Sequence, residues 1–101
     1  MITYEVTATV DPVIVPAYEE YMRMRHIPDL LATGSFVGAS FSKGKDHRYR
    51  MRYEAPDEAA LQRYFTDHAA EMREHVHERF PMGITLTREE WTVIQNGRIE
   101  K

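Results

Sequence analysis

The chain has 101 residues, a formal net charge of −3 and no cysteine. That length is typical of one domain, and the acidic balance disfavours a nucleic-acid-binding protein, which usually carries a surplus of basic residues on one face. The lack of cysteine excludes disulfides, thiolate nucleophiles and cysteine metal sites. No apolar run approaches the roughly 20 residues of a membrane helix, and no signal peptide is visible. We therefore expect a cytoplasmic protein.

The first third of the chain predicts a strand followed by a helix. Residues 2–10 alternate between apolar and polar side chains, which is typical of a half-buried strand. From Ile14 onward the apolar residues recur at helical spacing. Pro28 is expected to end or kink this helix near residue 27, and Gly34 to close the segment in a left-handed conformation.

The rest of the chain predicts two strands, a second helix and a last strand. Residues 35–42 and 48–54 are strand-like, and the polar turn 43–46 between them indicates a hairpin. A continuous second helix should follow the cap at residues 55–58 and stop at residues 81–83. A strand over residues 84–95 completes a single domain, residues 1–95. The polar tail, residues 96–101, is expected to be poorly ordered.

The order β-α-β-β-α-β predicts a ferredoxin-like α+β fold, a four-stranded antiparallel sheet with both helices on one face. The apolar series 4, 6, 8 and 49, 51, 53 should face the helices. The open face should carry Thr3, Glu5, Thr7, Arg48, Arg50, Arg52 and Glu54, with Phe36 and Trp91. Three interpretations of these charges stay open: cross-strand pairs in solvent, pairs between two subunits of a dimer, or an arginine stripe for an anionic ligand.

Three segments of the sequence resemble a bacterial family of unknown function (DUF4286-like). They are MITYEVT with VDP at the start, HIPDLLATGSF from residue 26, and LQRYFTDHA from residue 61 with ERF at residues 78–80. The resemblance covers nearly the whole chain except the tail and implies membership of the dimeric α+β barrel superfamily. There, two ferredoxin-like subunits join their sheets, which implies a homodimer through the open face.

That superfamily includes cofactor-independent monooxygenases, muconolactone-type isomerases, haem-degrading enzymes and ligand-sensing domains. The resemblance therefore implies a set of activities without choosing among them.

Two histidines are candidates for chemistry. His26 extends an apolar row of the first helix, and His68 lies in the stripe of the second, so both should point into the slot between helices and sheet. A histidine there can act as general acid or base on a small organic substrate. The alternative is that both are hydrogen-bonded core residues. The residues expected to line the slot are Tyr4, Tyr18, Met22, His26, Tyr49, Tyr64 and His68. Tyr21 and Tyr53 are further candidates for the same lining.

We expect no metal site and no cofactor. On a helix, His75 and His77 diverge, and the pair Glu71 and His75 supplies too few ligands for a closed site. Haem ligation by His26 or His68 is a less favoured alternative.

Three functional hypotheses follow from the sequence. The first is a dimeric module that binds a small organic molecule in the helix–sheet slot. The second is a cofactor-independent enzyme, of monooxygenase or isomerase type, with a histidine base. The third is a structural or interaction protein whose slot is filled.

Overall fold

Four antiparallel strands form one sheet in the computed structural model, which describes residues 1–97. The strands are β1 (Ile2–Val10), β2 (Gly38–Lys43), β3 (Arg48–Ala55) and β4 (Ile84–Thr92). Their order across the sheet is β2-β3-β1-β4, so the first strand lies between the third and the fourth. This arrangement confirms the ferredoxin-like fold.

Helical segments connect β1 to β2 and β3 to β4. They are a 3-10 turn (Pro12–Ile14), α1 (Val15–Tyr21), a π-helical turn (Met22–His26), α2 (Ile27–Ala32), α3 (Glu58–Asp67) and α4 (Ala69–Arg79). Their buried side chains join those of the sheet in one core. No helix within residues 1–97 is long and apolar enough to cross a membrane.

Of the two outcomes predicted at Pro28, an end or a kink of the helix, the first does not occur, because the helical connection continues past it. The turn before it widens into a π-turn, in which the N–H of Ile27 bonds to the carbonyl of Met22 five residues earlier. In a regular helix the ring of Pro28 would clash with the carbonyl four residues before it, and a wider turn accommodates the ring. The chain then continues as α2 and closes at Gly34, whose φ of +81° confirms the predicted left-handed cap.

The second helix was predicted as continuous but is broken at His68. The backbone of His68 leaves the helical region, with φ −132° and ψ −30°. Its N–H still closes α3 by bonding to Tyr64, and its carbonyl accepts the N–H of Met72 at the start of α4. The break therefore changes the direction of the chain without leaving these two backbone groups unpaired.

The strand boundaries near β2 and β4 also differ from the prediction. β2 begins at Gly38, and Phe36 lies in the loop before it. Phe36 was expected on the open face but is buried on the helix side, with its ring 5.5 Å from Tyr53 and 5.0 Å from Tyr64. Outside a paired strand, alternation no longer determines which way a side chain points. β4 ends at Thr92, and residues 98–101 of the predicted tail lie outside the described residues.

The two faces of the sheet are otherwise as predicted. The series 4, 6, 8 and 49, 51, 53 is buried under the helices. Glu5 lies opposite Arg52 in the β1–β3 register, with Oε2 of the acid 3.9 Å from Nε of the guanidinium. Such a partly exposed pair contributes less than about 1 kcal/mol.

Leu61 tests the packing of α3 on the sheet. The side chain is 0% exposed, so Leu61→Ala should lower the free energy of unfolding by about 2–5 kcal/mol through lost burial and a cavity. Urea denaturation measures this change. The matched control is Leu31→Ala on α2, where the side chain is 36% exposed and the loss should stay below about 1 kcal/mol. Equal losses at the two sites would contradict this packing.

Candidate functional site

A cavity of about 290 Å³ lies between the helices and the sheet, on the side of β4. β4 is an edge strand, and its inward residues Ile84 and Leu86 are only half-buried, whereas the inward residues of β1 and β3 are buried. The helices therefore cover the centre of the sheet and leave space above this edge. Side chains from the sheet, from α1 to α4, from the π-turn and from the loop before β4 line that space.

The inner wall of the cavity is aromatic and weakly polar. Its tyrosines are Tyr4, Tyr18, Tyr53 and Tyr64, and Met22 and Met51 lie among them. Burial raises the pKa of the hydroxyls of Tyr18, Tyr53 and Tyr64 well above the usual value of 10.0. These groups therefore stay protonated at neutral pH and act as neutral hydrogen-bond donors.

Two of these hydroxyls are open to a ligand. Tyr18 donates to the sulfur of Met51 at 3.9 Å, and Tyr4 accepts a bond from Arg73. The hydrogen bonds found within residues 1–97 include none at the hydroxyls of Tyr53 or Tyr64. Both residues line the cavity, so these two donors are suited to a bound molecule.

His26 reaches the cavity from the end of the π-turn. Its ring lies 6.3 Å from that of Tyr21, nearly parallel to it. Burial lowers the pKa of His26 to about 4; the negative charge of Asp29 opposes this shift, and His75 adds slightly to it. At neutral pH the imidazole is therefore uncharged and has one nitrogen free to accept a proton or a hydrogen bond.

Two arginines lie at the mouth of the cavity. Arg73 on α4 donates from Nη2 to the hydroxyl of Tyr4 at 3.2 Å. Arg88 is on the inward face of β4, opposite Val6 in the register. Both positive charges oppose the effect of burial on the pKa of Tyr64, and both arginines line the same cavity as this tyrosine.

Sequence reasoning missed both arginines. A signal for Arg88 was present, because a cation interrupts the inward apolar series that begins with Ile84 and Leu86.

The structure brings together five of the seven residues expected at the slot. Tyr4, Tyr18, Met22, His26 and Tyr64 line the cavity, and so does Tyr53. The other two, Tyr49 and His68, are not among its lining residues, and neither is Tyr21.

Physical reasons for the two exceptions are visible. The hydroxyl of Tyr49 donates to the carboxylate of Glu19 on α1, beside the ammonium of Lys43, and this bond draws the ring away from the cavity. His68 occupies the break between α3 and α4, so it no longer continues the stripe of a single helix. Its ring lies 6.5 Å from that of Tyr64, half-buried.

Metal-binding groups do not cluster in residues 1–97. No set of three or more histidine, aspartate or glutamate side chains in this part of the chain is arranged to hold an ion. The pair Glu71 and His75 approaches to 3.7 Å, as their spacing on one helix face allows.

The chain belongs to a known family whose function is not assigned. The family described as "Domain of unknown function (DUF4286)" matches residues 1–94. This confirms the resemblance seen in the sequence. A search of curated proteins found no significant match.

Solved structures share the fold at low sequence identity. A mutant of SnoaB, a cofactor-independent oxygenase from Streptomyces nogalater, is 20% identical with a TM-score of 0.74, and the match covers 94% of each chain. HapK from Hahella chejuensis is 15% identical with a TM-score of 0.71 over 100% of each chain. A dimeric ferredoxin-like protein from an uncultured marine organism is 12% identical with a TM-score of 0.68, over 98% of this chain and 100% of the other.

The burial of His26 predicts a pH dependence of stability. Because its pKa falls from 6.5 to about 4 on folding, the unfolded chain binds a proton between these values that the folded protein does not. Stability is therefore expected to fall as the pH drops through this window, by a total on the order of 3 kcal/mol. NMR titration of the imidazole and urea denaturation at several pH values measure both effects.

The variant His26→Gln is the control for this titration. It identifies the imidazole resonance by its loss, and it should flatten the pH dependence of stability between 6.5 and 4. An imidazole that titrates near 6.5 in the wild-type protein would show that His26 is solvated rather than buried.

Proposed function

We propose that the protein is a homodimer and that each subunit binds a small organic molecule in the cavity beside β4. The observation that carries this proposal is the cavity itself, about 290 Å³ of space in a position where a small domain needs its core. Unfilled apolar space lowers stability, and ligand sites in proteins are concave, mostly apolar and equipped with a few polar groups.

The lining supports a ligand that is partly aromatic. Tyrosine and methionine side chains provide flat and adaptable apolar contacts. The hydroxyls of Tyr53 and Tyr64 are suited to orient polar groups of the bound molecule, and the neutral His26 supplies an acceptor. A filled, purely structural slot would leave these groups without a use.

The open face of the sheet supports the dimer. In the register, long side chains are on β3, which carries Arg48, Arg50, Arg52 and Glu54, whereas β1 carries mostly threonine at the paired positions. The two outer strands show the same contrast at corresponding positions. β4 carries the long side chains of Trp91 and Glu89, whereas β2 carries Gly38 and Ser40. Each strand with long side chains thus has a counterpart with short ones.

A two-fold axis parallel to the strands, between β1 and β3, makes this face self-complementary. It superposes β3 on the partner's β1 and β4 on the partner's β2. Arg52 then faces an acid of the other subunit, Trp91 faces glycine, and the remaining arginines face threonines. No like charges meet directly, which is what an isologous interface requires.

A second candidate function is cofactor-independent catalysis at the same cavity. An oxygenase without metal or flavin needs a substrate that is its own reductant, and removal of a proton creates such an electron-rich anion. His26 is a neutral acceptor inside the cavity, and the fold is similar to that of SnoaB, a cofactor-independent oxygenase. A base with a pKa of about 4 is weak, so this role requires a substrate whose own charge raises that value.

Native mass spectrometry of the protein, purified without added ligand, tests the proposed function. The expected result is a dimer that carries extra mass, which is lost when the same sample is denatured. A dimer without extra mass, in a protein whose cavity also fails to bind added aromatic compounds, would favour a structural role and contradict the proposal.

Incubation of the protein with the released molecule in air separates the two candidate functions. A binding module returns the molecule unchanged, whereas an oxygenase or isomerase changes its mass or its chromatographic retention. The variant His26→Gln should abolish such turnover while the dimer persists.

Trp91 tests the dimer face. Its side chain is 54% exposed in the single chain, and tryptophan often dominates the energy of an interface. Trp91→Ala is expected to raise the dimer dissociation constant about tenfold to a hundredfold, measured by sedimentation equilibrium. Met24→Ala is the matched control, since Met24 is 64% exposed on the helix side. Equal dissociation constants in all three proteins would argue against this face as the interface.

A further inference from the structure

We infer that the molecule bound in the cavity is an aromatic acid, whose carboxylate or similar anionic group is held at the mouth by Arg73 and Arg88. This inference rests on the proposed ligand-binding function and specifies the class of ligand. The two arginines come from different elements, α4 and β4, and both line the same cavity.

The position of Arg88 is unusual for a strand of this kind. Its neighbours on the inward face are the apolar Leu86 on the same strand and Val6 opposite it, and on the other side the acid Glu90. Charged side chains on the inward face are one way in which edge strands are protected from pairing. This one also lies at the boundary between the apolar cavity and solvent, where it can meet a ligand.

A hydrogen bond to Tyr4 holds Arg73 at the mouth of the cavity. The hydrogen bond from Nη2 to the tyrosine hydroxyl uses one of the five donors of the guanidinium and leaves four for other partners. Arg73, Arg88 and Tyr64 all line the same cavity, so both cations and this hydroxyl border one space.

The charge at this mouth is not neutralised within the described part of the chain. The ion pairs found in residues 1–97 join Lys43 to Glu19, Arg52 to Glu5, and His75 to Glu71, and none involves Arg73 or Arg88. Glu90, the next inward residue of β4 after Arg88, also forms no ion pair there. A cation without an acidic partner beside an apolar cavity is suited to bind an anion there.

The chemistry of the site determines the two parts of the ligand. A guanidinium group binds a planar carboxylate through two parallel hydrogen bonds, and the protonated hydroxyl of Tyr64 is available as a further donor. Behind this mouth the cavity is uncharged, because its tyrosines are protonated and His26 is neutral. An anionic head and an uncharged aromatic body satisfy both regions.

The other group of arginines fits an anion less well. Arg48, Arg50 and Arg52 lie on the open face among Glu5 and Glu54, and the register gives them threonine or acidic neighbours on β1. A hollow beside β2 and β3 is lined by Arg48 and Arg50 with Lys43, but Lys43 is already paired with Glu19, and the other lining residues are mostly polar. The anion site is therefore assigned to the mouth beside β4.

Binding of matched pairs of acids and amides tests the inference. The probes are 2-naphthoate with 2-naphthamide, and biphenyl-4-carboxylate with its primary amide, which differ in charge but hardly in shape. Isothermal titration calorimetry measures affinity, and methyl NMR of the methionines reports whether a probe enters the cavity beside Met22 and Met51. The wild-type protein should bind each acid at least about tenfold more tightly than its amide.

Variants connect that preference to the two arginines. In the double variant Arg73→Gln with Arg88→Gln, the acid should lose its advantage while the affinity for the amide stays nearly unchanged. Glutamine still donates a hydrogen bond to Tyr4, so the local packing is retained. The control is Arg63→Gln on the exposed surface of α3, which should leave both affinities as in the wild-type protein. The acid's advantage in the unaltered protein should also shrink at high ionic strength, a result that needs no variant.

Each outcome has a distinct meaning. Equal affinity of acids and amides, with shifts at Met22 and Met51, would overturn the inference and leave the ligand-binding function standing. An acid preference that survives in the double variant would also overturn it. If neither class of probe enters the cavity, both the inference and the proposed function are wrong.

Discussion

The packing of the helices over β1 and β3, but not over β4, is the constraint on which the rest of the structure depends. The centre of the sheet is sealed by Tyr18, Leu61 and Tyr64, which are buried. The edge strand β4 has no equivalent cover, and its inward residues remain half-buried. A domain of this length has few apolar residues to spare, so it seals its centre and keeps a cavity at one edge.

The cavity is uncharged deep inside and positively charged at its mouth. Deep inside, burial keeps the tyrosine hydroxyls protonated and His26 neutral, because the charged forms lose their hydration there. At the mouth, where solvent reaches, two guanidinium groups remain charged. The π-turn is part of this arrangement, since it carries His26 to the cavity while accommodating Pro28 in a continuing helical segment.

The opposite face of the sheet is likewise left uncovered by a single chain. Its long and short side chains alternate by strand, so a second copy can cover what one chain leaves open. If the open faces pair, the helices and the cavity of each subunit stay on the outside. Ligand access and dimerisation then use different surfaces of one sheet, and neither restricts the other.

Local patterns in the sequence determined most of the fold. The alternation in residues 2–10 and 48–54 predicts which side chains face the helices, because neighbouring residues of a strand point to opposite faces. The family assignment and the left-handed Gly34 were also readable from the sequence. Five of the seven expected cavity residues, His26 among them, could be placed from helical or strand spacing alone.

Only the tertiary structure decided the rest. The break at His68 and the bond that draws Tyr49 toward Glu19 depend on contacts between elements distant in sequence, so spacing along one helix or strand did not predict them. The convergence of Arg73 and Arg88 on one cavity is of the same kind. Periodicity describes one element at a time, whereas a site at the edge of a sheet is made where several elements meet.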